Sequence, residues 1–482
     1  MRIARRAVPY RPSGCFWALT AFLFLAFATG GGSRYDIQSL ALLRPASAVL
    51  IAFAIWGMSA RQLRDLRAPL LFLGAMALLI LAHLIPLPWS VWSRLPGRET
   101  VVAIDEAAGL GRMWRPLTLV PPGAWNAFFS LLPPLAVLLA GARLSLAERR
   151  ALVVPLLLLA MISAVVALLQ LSGGEGSPLY LYRVTNDGAA VGLFANRNHQ
   201  AVFLACAFPL LALFASATAL PGWDRRIRLG IACASGAIFV ALILVTGSRA
   251  GLLAMLVGLA AAMMLGRGQA RASRPPSFWH GSRQWAAAAV LLLLLASIVV
   301  FAGRAESIDR LLSSNGVGEI RYRAWGPMLD IALRYFPAGS GFGSFAEVYL
   351  LDEPYALLDR TTFLRAHNDP LELLLTGGAP AMLLLTVAVG AYVRQCAAWW
   401  RSGAREGTRS VTKGAALCVI AILGLASLGD YPLRTPALAC LLCVMLLWLY
   451  GADGTGARDN SFDGAASDPK TSASKEGRGS NA

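Results

Sequence analysis

Apolar runs of about 20 residues alternate with short polar linkers through most of the chain, and one polar interruption, from Arg304 to about Gly378, is far longer than the rest. The runs are continuous, not alternating residue by residue, so they predict helices and not the strands of a barrel. Their length suits the hydrocarbon core of a bilayer. The predicted spans are about 15–28, 45–59, 68–86, 124–141, 149–171, 199–218, 229–246, 250–266, 285–303, 377–397, 412–429 and 434–451, twelve in all. Arg2, Arg5, Arg6 and Arg11 before the first run, and Ala26-Phe27-Ala28 within it, resemble a signal peptide, but the run reads as the first span of the series. The tail 452–482 is rich in Gly, Ser, Asp and Lys and predicts disorder. The pattern therefore predicts an all-α, polytopic integral membrane protein with about twelve transmembrane helices and one large loop at 304–376.

Composition agrees. Of 482 residues, 57% are hydrophobic and 14% charged, with a mean hydropathy of +0.60. Soluble domains carry about 25% charged residues. The net charge of +17 would suggest nucleic acid in a soluble protein. Here the basic residues crowd into short linkers instead, as at Arg61, Arg64 and Arg67, at Arg143, Arg149 and Arg150, and at Arg225, Arg226 and Arg228. That asymmetry predicts cytoplasmic termini and an exported face bearing the longer segments 87–123, 172–198 and 304–376. No nucleic-acid partner is expected. The seven cysteines fall in or beside apolar runs, so no disulfide framework is predicted, and Cys440 and Cys443 read as small packing residues.

Span interiors are nearly free of ionisable residues, which lowers the reading as an ion-coupled transporter. Unusual polar residues gather on the predicted exported face. Asp369-Pro370-Leu371-Glu372 reads as a helix start, with Asp369 at the N-cap and Glu372 at N3. His367 would sit two residues before it, where a helix N-terminus favours an anion and a neutral imidazole. That is a setting for a general base; the alternative is a loop histidine bonded to a backbone carbonyl. Between Ile320 and Phe336, residues Trp325, Met328, Leu329, Ala332, Leu333 and Phe336 predict one apolar stripe of an amphipathic helix. Arg321 falls on that side and Arg323 roughly opposite, so Arg321 is the candidate inward group and Arg323 the solvated one, unless Pro327 marks the real helix start. Arg249 stands in a minimal exported turn, after a Ser248 that could cap the next helix, and a guanidinium there suits a phosphate. Arg197 and His199 form another polar knot at a span entrance, with Asn196 or Asn198 as helix cap. Arg434 reads as a local partner of Asp430. Gly339, Gly341 and Gly343 predict a tight turn and not a phosphate cradle. No clustering of His, Cys and acidic residues suggests a metal, so metal-independent chemistry without a cofactor is expected.

Taken together, Gly192-Leu-Phe-Ala-Asn-Arg-Asn-His199, Thr246-Gly-Ser-Arg-Ala-Gly251, Arg321-x-x-x-Trp325, Pro337-Ala-Gly-Ser-Gly-Phe-Gly-Ser-Phe345 and Ala366-His-Asn-Asp369 resemble the bacterial O-antigen ligase and polymerase family, in order, over about 192–380. The resemblance divides the chain into N-terminal transmembrane helices (1–191), a ligase-like region (192–451) and the tail (452–482). It implies a glycosyltransferase of the bacterial inner membrane with an undecaprenyl-diphosphate-linked glycan as donor. The implied acceptor is lipid A–core or another glycan. It also implies a histidine of the large periplasmic loop as base, carried onto His367, and arginines that bind the donor diphosphate, carried onto Arg249 and Arg321 and less directly onto Arg197. Arg323, Asp369 and His199 are possible supporting residues. Ligase and polymerase share these motifs. A lipid-glycan flippase or other transporter is the competing reading of another class.

Overall fold

The computed structural model describes residues 12–216, 224–270, 317–358, 362–402 and 408–451. Eleven of the twelve predicted spans fall on its helices, at Gly14–Thr29, Leu40–Ile55, Arg67–Ala82, Pro121–Ala142, Leu146–Gly173, Arg197–Ser216, Arg225–Val245, Arg249–Ala270, Asp369–Arg401, Thr408–Ala426 and Pro436–Tyr450. The predicted span 285–303, the start of the large loop and the tail lie outside the described residues. Six of these helices are long and apolar enough to cross a membrane, and five more are shorter apolar helices. The protein is an all-α polytopic membrane protein. Two strands of two residues, Pro86–Leu87 and Arg115–Pro116, pair antiparallel and are the exception among the described residues.

Arg197–Ser216 is the central helix. It is apolar all round and buried almost throughout, as a helix enclosed by others must be. Helices Val153–Gly173, Arg225–Val245, Arg249–Ala270 and Thr408–Ala426 surround it. The first helix joins this core, with Leu19, Leu23 and Phe27 fully buried and Phe27 against Phe194 and Phe203, so it is built as a bundle helix.

The linkers separate to two ends of the bundle. At one end are the basic linkers. Arg143 donates to Phe53 O (2.8 Å), and Arg149 to Gly141 O and Ala142 O (3.0 Å each). At the other end, longer segments dock on one another. Leu119 N donates to Ser340 O (2.9 Å), Gly31 N to the Tyr182 hydroxyl (2.6 Å), and Asp369 N to Ser427 O (2.9 Å).

The described part of the large loop is largely helical. Its loop helix, Val317–Arg334, continues through Pro327, so that proline does not mark the start. The glycine turn follows and leads to Phe345–Leu351. Gly339, Gly341 and Gly343 all have positive φ, and a Cβ on Gly341 would sit 2.2 Å from Thr118 Oγ1. The turn is therefore a close-packed junction between the large loop and the segment before residue 120.

Two local expectations are corrected. The buried stripe of the loop helix is Ala324, Met328, Ile331, Ala332 and Tyr335, whereas Leu329, Leu333 and Phe336 are exposed with Tyr322 on the other side. At about 100° per residue these are two opposite apolar stripes, not one. Arg321 falls near the buried stripe and is half-buried, while Arg323 is exposed. The second correction concerns the helix Asp369–Arg401. Its N-cap is Asn368, whose side chain accepts from Leu371 N (3.0 Å), so Asp369 is the first helical residue and not the cap. Glu372 makes no capping box; it accepts from Ala366 N (3.1 Å) and Arg365 Nη1 (2.9 Å). The same helix is broken at Gly378, where φ is 59°. A Cβ there would lie 2.1 Å from Pro337 O, so the glycine lets the loop pack against the break.

Candidate functional site

A cavity of about 790 Å³ opens at the end of the bundle that carries the large loop. Its volume lies in the range of small-molecule binding pockets, about 300–1,000 Å³. One part of its wall holds Arg321, Arg365, His367, His199 and Tyr431; another is formed by residues 32–39 and 181–186.

His367 is fixed from several directions. Its backbone is left-handed, with φ of 50°, the one non-glycine residue with positive φ among those described. Such a conformation costs of the order of 1–2 kcal/mol for a residue with a Cβ and persists where surroundings hold it. The holding groups are plain. Trp325 Nε1 donates to Ala366 O (3.1 Å), one residue before His367. Asn368, one residue after it, caps the next helix. The imidazole lies between Phe363 and Tyr431, with ring centroids at 6.2 and 4.7 Å. Spacing now explains the Arg321-x-x-x-Trp325 pair. The two side chains lie one turn apart on the loop helix, so the tryptophan that pins Ala366 also sets where Arg321 meets the cavity.

The imidazole Nδ1 lies 3.2 Å from Asp430 Oδ1. Asp430 is buried, and its oxygens also accept from Tyr431 N (3.0 Å) and Asn198 Nδ2 (2.7 Å). Burial alone would raise this carboxyl's pKa. The hydrogen bond to His367 and the charges of His199, His367 and Arg321 outweigh it and hold the group below the usual carboxylate range. An ionised carboxylate only accepts, so Nδ1 of His367 is the nitrogen that donates to Asp430, and the neutral imidazole so held presents the lone pair of Nε2. The pairing is with a side chain and not with a backbone carbonyl. Arg434, read from sequence as the partner of Asp430, instead pairs with Asp369 (3.0 Å) and Glu372 (3.4 Å). Glu372 is 1% exposed and also holds Arg365, the residue two before His367.

The other predicted residues divide. His199, 1% exposed, lies with Nε2 3.8 Å from Asp430 Oδ1 and its ring edge-on to Tyr431 (5.1 Å), so it belongs to the same cluster. The polar segment before it is held from below. Gln170 accepts from Val191 N and Gly192 N and donates to Gly192 O, and Ser163 accepts from Leu193 N. Asn196 caps the central helix by accepting from Asn198 N (2.9 Å). Asp369 is buried beneath the cavity with Arg434. Arg249 is exposed at the start of its helix, where Ser248 caps by accepting from Gly251 N (2.9 Å). Neither Arg249, Arg197 nor Arg323 is among the residues lining the cavity. The residue that sequence reasoning missed is Asp430. Its nearest cation in sequence, Arg434, offered a local explanation that hid the contact with His367 across 63 residues.

Residues 233–386 match the family model Wzy_C, described as O-antigen ligase. The matched segment contains Arg249, Arg321 and His367; Asp430, Asn198 and His199 lie outside it. No curated protein matches the chain.

Proposed function

We propose that this chain, an O-antigen ligase-type membrane glycosyltransferase by the segment it carries, moves a glycan from an undecaprenyl-diphosphate donor to an acceptor sugar hydroxyl at the periplasmic face. The observation that carries the reading is the fixed His367–Asp430 pair, at 3.2 Å, on the wall of a cavity that Arg321 also lines. In the transfer, His367 Nε2 takes the proton of the acceptor hydroxyl. The acceptor oxygen forms a bond to the anomeric carbon, and the bond from that carbon to the diphosphate oxygen breaks. The diphosphate leaves with the electron pair. Asp430 holds the imidazole in the required tautomer and offsets the charge of the imidazolium, the logic of a triad. The guanidinium of Arg321 steadies the leaving diphosphate where the charge develops. With the base taking the acceptor's proton and arginine facing the diphosphate, attack opposite the leaving group inverts the anomeric centre and requires no metal. The role of Arg249 and Arg197 in donor binding rests on the family resemblance.

Transfer of a finished glycan to lipid A–core and polymerisation of repeat units share these steps. The placement of polar groups at one end of the bundle favours surface chemistry over passage of a glycan through the spans. The test is transfer by purified protein from a lipid-diphosphate glycan in the presence of EDTA. Turnover that vanishes with EDTA, or glycan flux without transfer, overturns the reading. Deleting the gene and analysing lipopolysaccharide and secreted polysaccharide separately distinguishes ligase from polymerase. For orientation, single cysteines at Glu175 and Arg64 should differ in labelling by an impermeant thiol reagent in intact spheroplasts, with Glu175 the one labelled.

A further inference from the structure

The cavity wall away from His367 is built by two linkers of the N-terminal part of the chain, residues 32–39 and 181–186. Neither lies in the segment matched by the family model. Tyr35 presents its ring with 66% exposure. Beside it, Arg34 forms a two-pronged pair with Asp36, Nε to Oδ1 and Nη2 to Oδ2 at 2.8 Å each. Arg183, from the second linker, stands with Nη2 3.6 Å from Oδ2, the oxygen that Arg34 Nη2 also meets, and is 86% exposed.

We propose that Tyr35, Asp36 and Arg183 form a sugar-binding subsite that reads the glycan handled at His367. The proposal rests on the glycosyl-transfer reading above. A sugar ring has an apolar C–H face and an edge of neighbouring hydroxyls. An exposed tyrosine offers a rigid apolar surface with a polar tip, and a planar carboxylate with planar guanidinium groups meets paired hydroxyls by two-pronged hydrogen bonds. An exposed ion pair by itself contributes little stability, with a median of about 0–1 kcal/mol, so stability gives weak reason to gather three charges and an aromatic ring at a cavity mouth. The wall is also held in advance. Gly31 N donates to the Tyr182 hydroxyl (2.6 Å), which fastens one linker to the other. Arg365 Nη2 donates to Ser33 O (3.2 Å), which fastens the first linker to the residue two before His367. A Cβ on Gly31 would lie 2.0 Å from Leu193 O, so the linker runs against the segment that leads to His199. Groups fixed before binding lose less entropy on binding.

The division of labour follows. The matched segment supplies His367 and Arg321, which act on chemistry common to any diphosphate-linked glycan. The N-terminal linkers supply contacts that depend on which sugar is present. The bound ring belongs either to the donor or to the acceptor glycan, and kinetics tell them apart.

The experiment uses the full chain in nanodiscs, with Tyr35→Ala, Tyr35→Phe, Asp36→Asn and Arg183→Ala. Two quantities are read: KM and kcat for donor and acceptor in transfer, and the Kd of the lipid-free repeat-unit oligosaccharide released from the host's polysaccharide. Tyr35→Ala and Asp36→Asn should raise one KM and the oligosaccharide Kd by about tenfold, equivalent to ~1.4 kcal/mol. The rise in KM, not a fall in kcat, should carry the loss, and Tyr35→Phe should restore binding. A rise in the donor KM assigns the ring to the donor; a rise in the acceptor KM assigns it to the acceptor. Unchanged KM and Kd in Tyr35→Ala and in the highly exposed Arg183→Ala overturn the subsite while leaving the transfer reading intact. Oligosaccharide binding that depends on Tyr35 in a protein that transfers nothing overturns the transfer reading and keeps the subsite.

Discussion

Both ends of the helical bundle are rich in arginine, yet the arginines meet different partners. At the end with the short linkers, Arg143 and Arg149 donate to main-chain carbonyls of neighbouring helices. There the guanidinium satisfies the orphaned last carbonyls of a helix. At the other end, Arg365 and Arg434 hold Glu372 and Asp369, and Arg321 lines a cavity beside a histidine–carboxylate pair. Counting cations orients a membrane protein; asking what each cation touches separates an arginine that closes a helix end from one that lines a cavity.

Substitutions at the two ends should therefore fail in different ways. The largest effect is expected at His367. A positioned base contributes of the order of 10²–10⁴ in rate, so His367→Ala should lower transfer by about that factor with donor binding kept. His367→Gln keeps a hydrogen bond but accepts no proton, and should be nearly as damaging. Full transfer by the glutamine variant would leave His367 an orienting role at most and turn attention to His199.

Asp430→Asn comes next. The amide can donate to Nδ1 and reverse the tautomer, so turnover should fall by about 10²-fold or more while donor affinity holds. A variant that transfers at the wild-type rate would break the pair as a mechanistic unit. Arg321→Ala and Arg321→Lys should both lose about 10²-fold, as expected for a fixed group facing developing charge. Arg323→Ala should change the rate by less than about threefold. Essential Arg323 with dispensable Arg321 would contradict the burial of the loop helix.

At the opposite end, Arg149→Met should behave in the reverse sense. It removes two hydrogen bonds from buried carbonyls, so thermal unfolding in detergent should shift down by the equivalent of about 1–3 kcal/mol. Transfer per folded molecule should be unchanged. The smallest effect concerns pH. A carboxyl held below its ordinary value stabilises the folded state above about pH 4, and that contribution is lost as pH falls through this value toward the lower folded one. The stability difference between wild type and Asp430→Asn should thus be smaller at pH 3 than at pH 6. A constant or growing difference would mean that Asp430 is not held down as its neighbours imply.

Much of this was legible in the sequence, for physical reasons that also mark the gaps. Apolar runs fixed the helices because a span must satisfy its backbone internally. The loop helix misled because apolar residues occur on both its faces. Outside a membrane an exposed stripe such as Leu329, Leu333 and Phe336 would be penalised; beside a bilayer it is not. Arg321 was nevertheless assigned correctly to the inner side, by a stripe that contains Ala324 and Met328 rather than Leu329. The cap slipped by one residue because Asn368 and Asp369 are both good caps, and the buried pair with Arg434 takes Asp369 away. Asp430 could not be found by spacing at all. Its contact with His367 depends on how the turn after helix Thr408–Ala426 folds back under the loop, and a local cation offered a simpler explanation.

The dependence of His367 on Asp430 also bears on how the protein is made. A chain emerging from the ribosome presents His367 well before Asp430, and the whole of helix Thr408–Ala426 must be inserted between them. Arg434, which holds Asp369 and Glu372, arrives later still. Until then the imidazole has neither its carboxylate nor the ring of Tyr431, and of the buried acids at the helix start Glu372 has Arg365 but Asp369 lacks its cation. On the proposed mechanism, the pair that would take the acceptor's proton is therefore completed only when the hairpin of Thr408–Ala426 and Pro436–Tyr450 is in place.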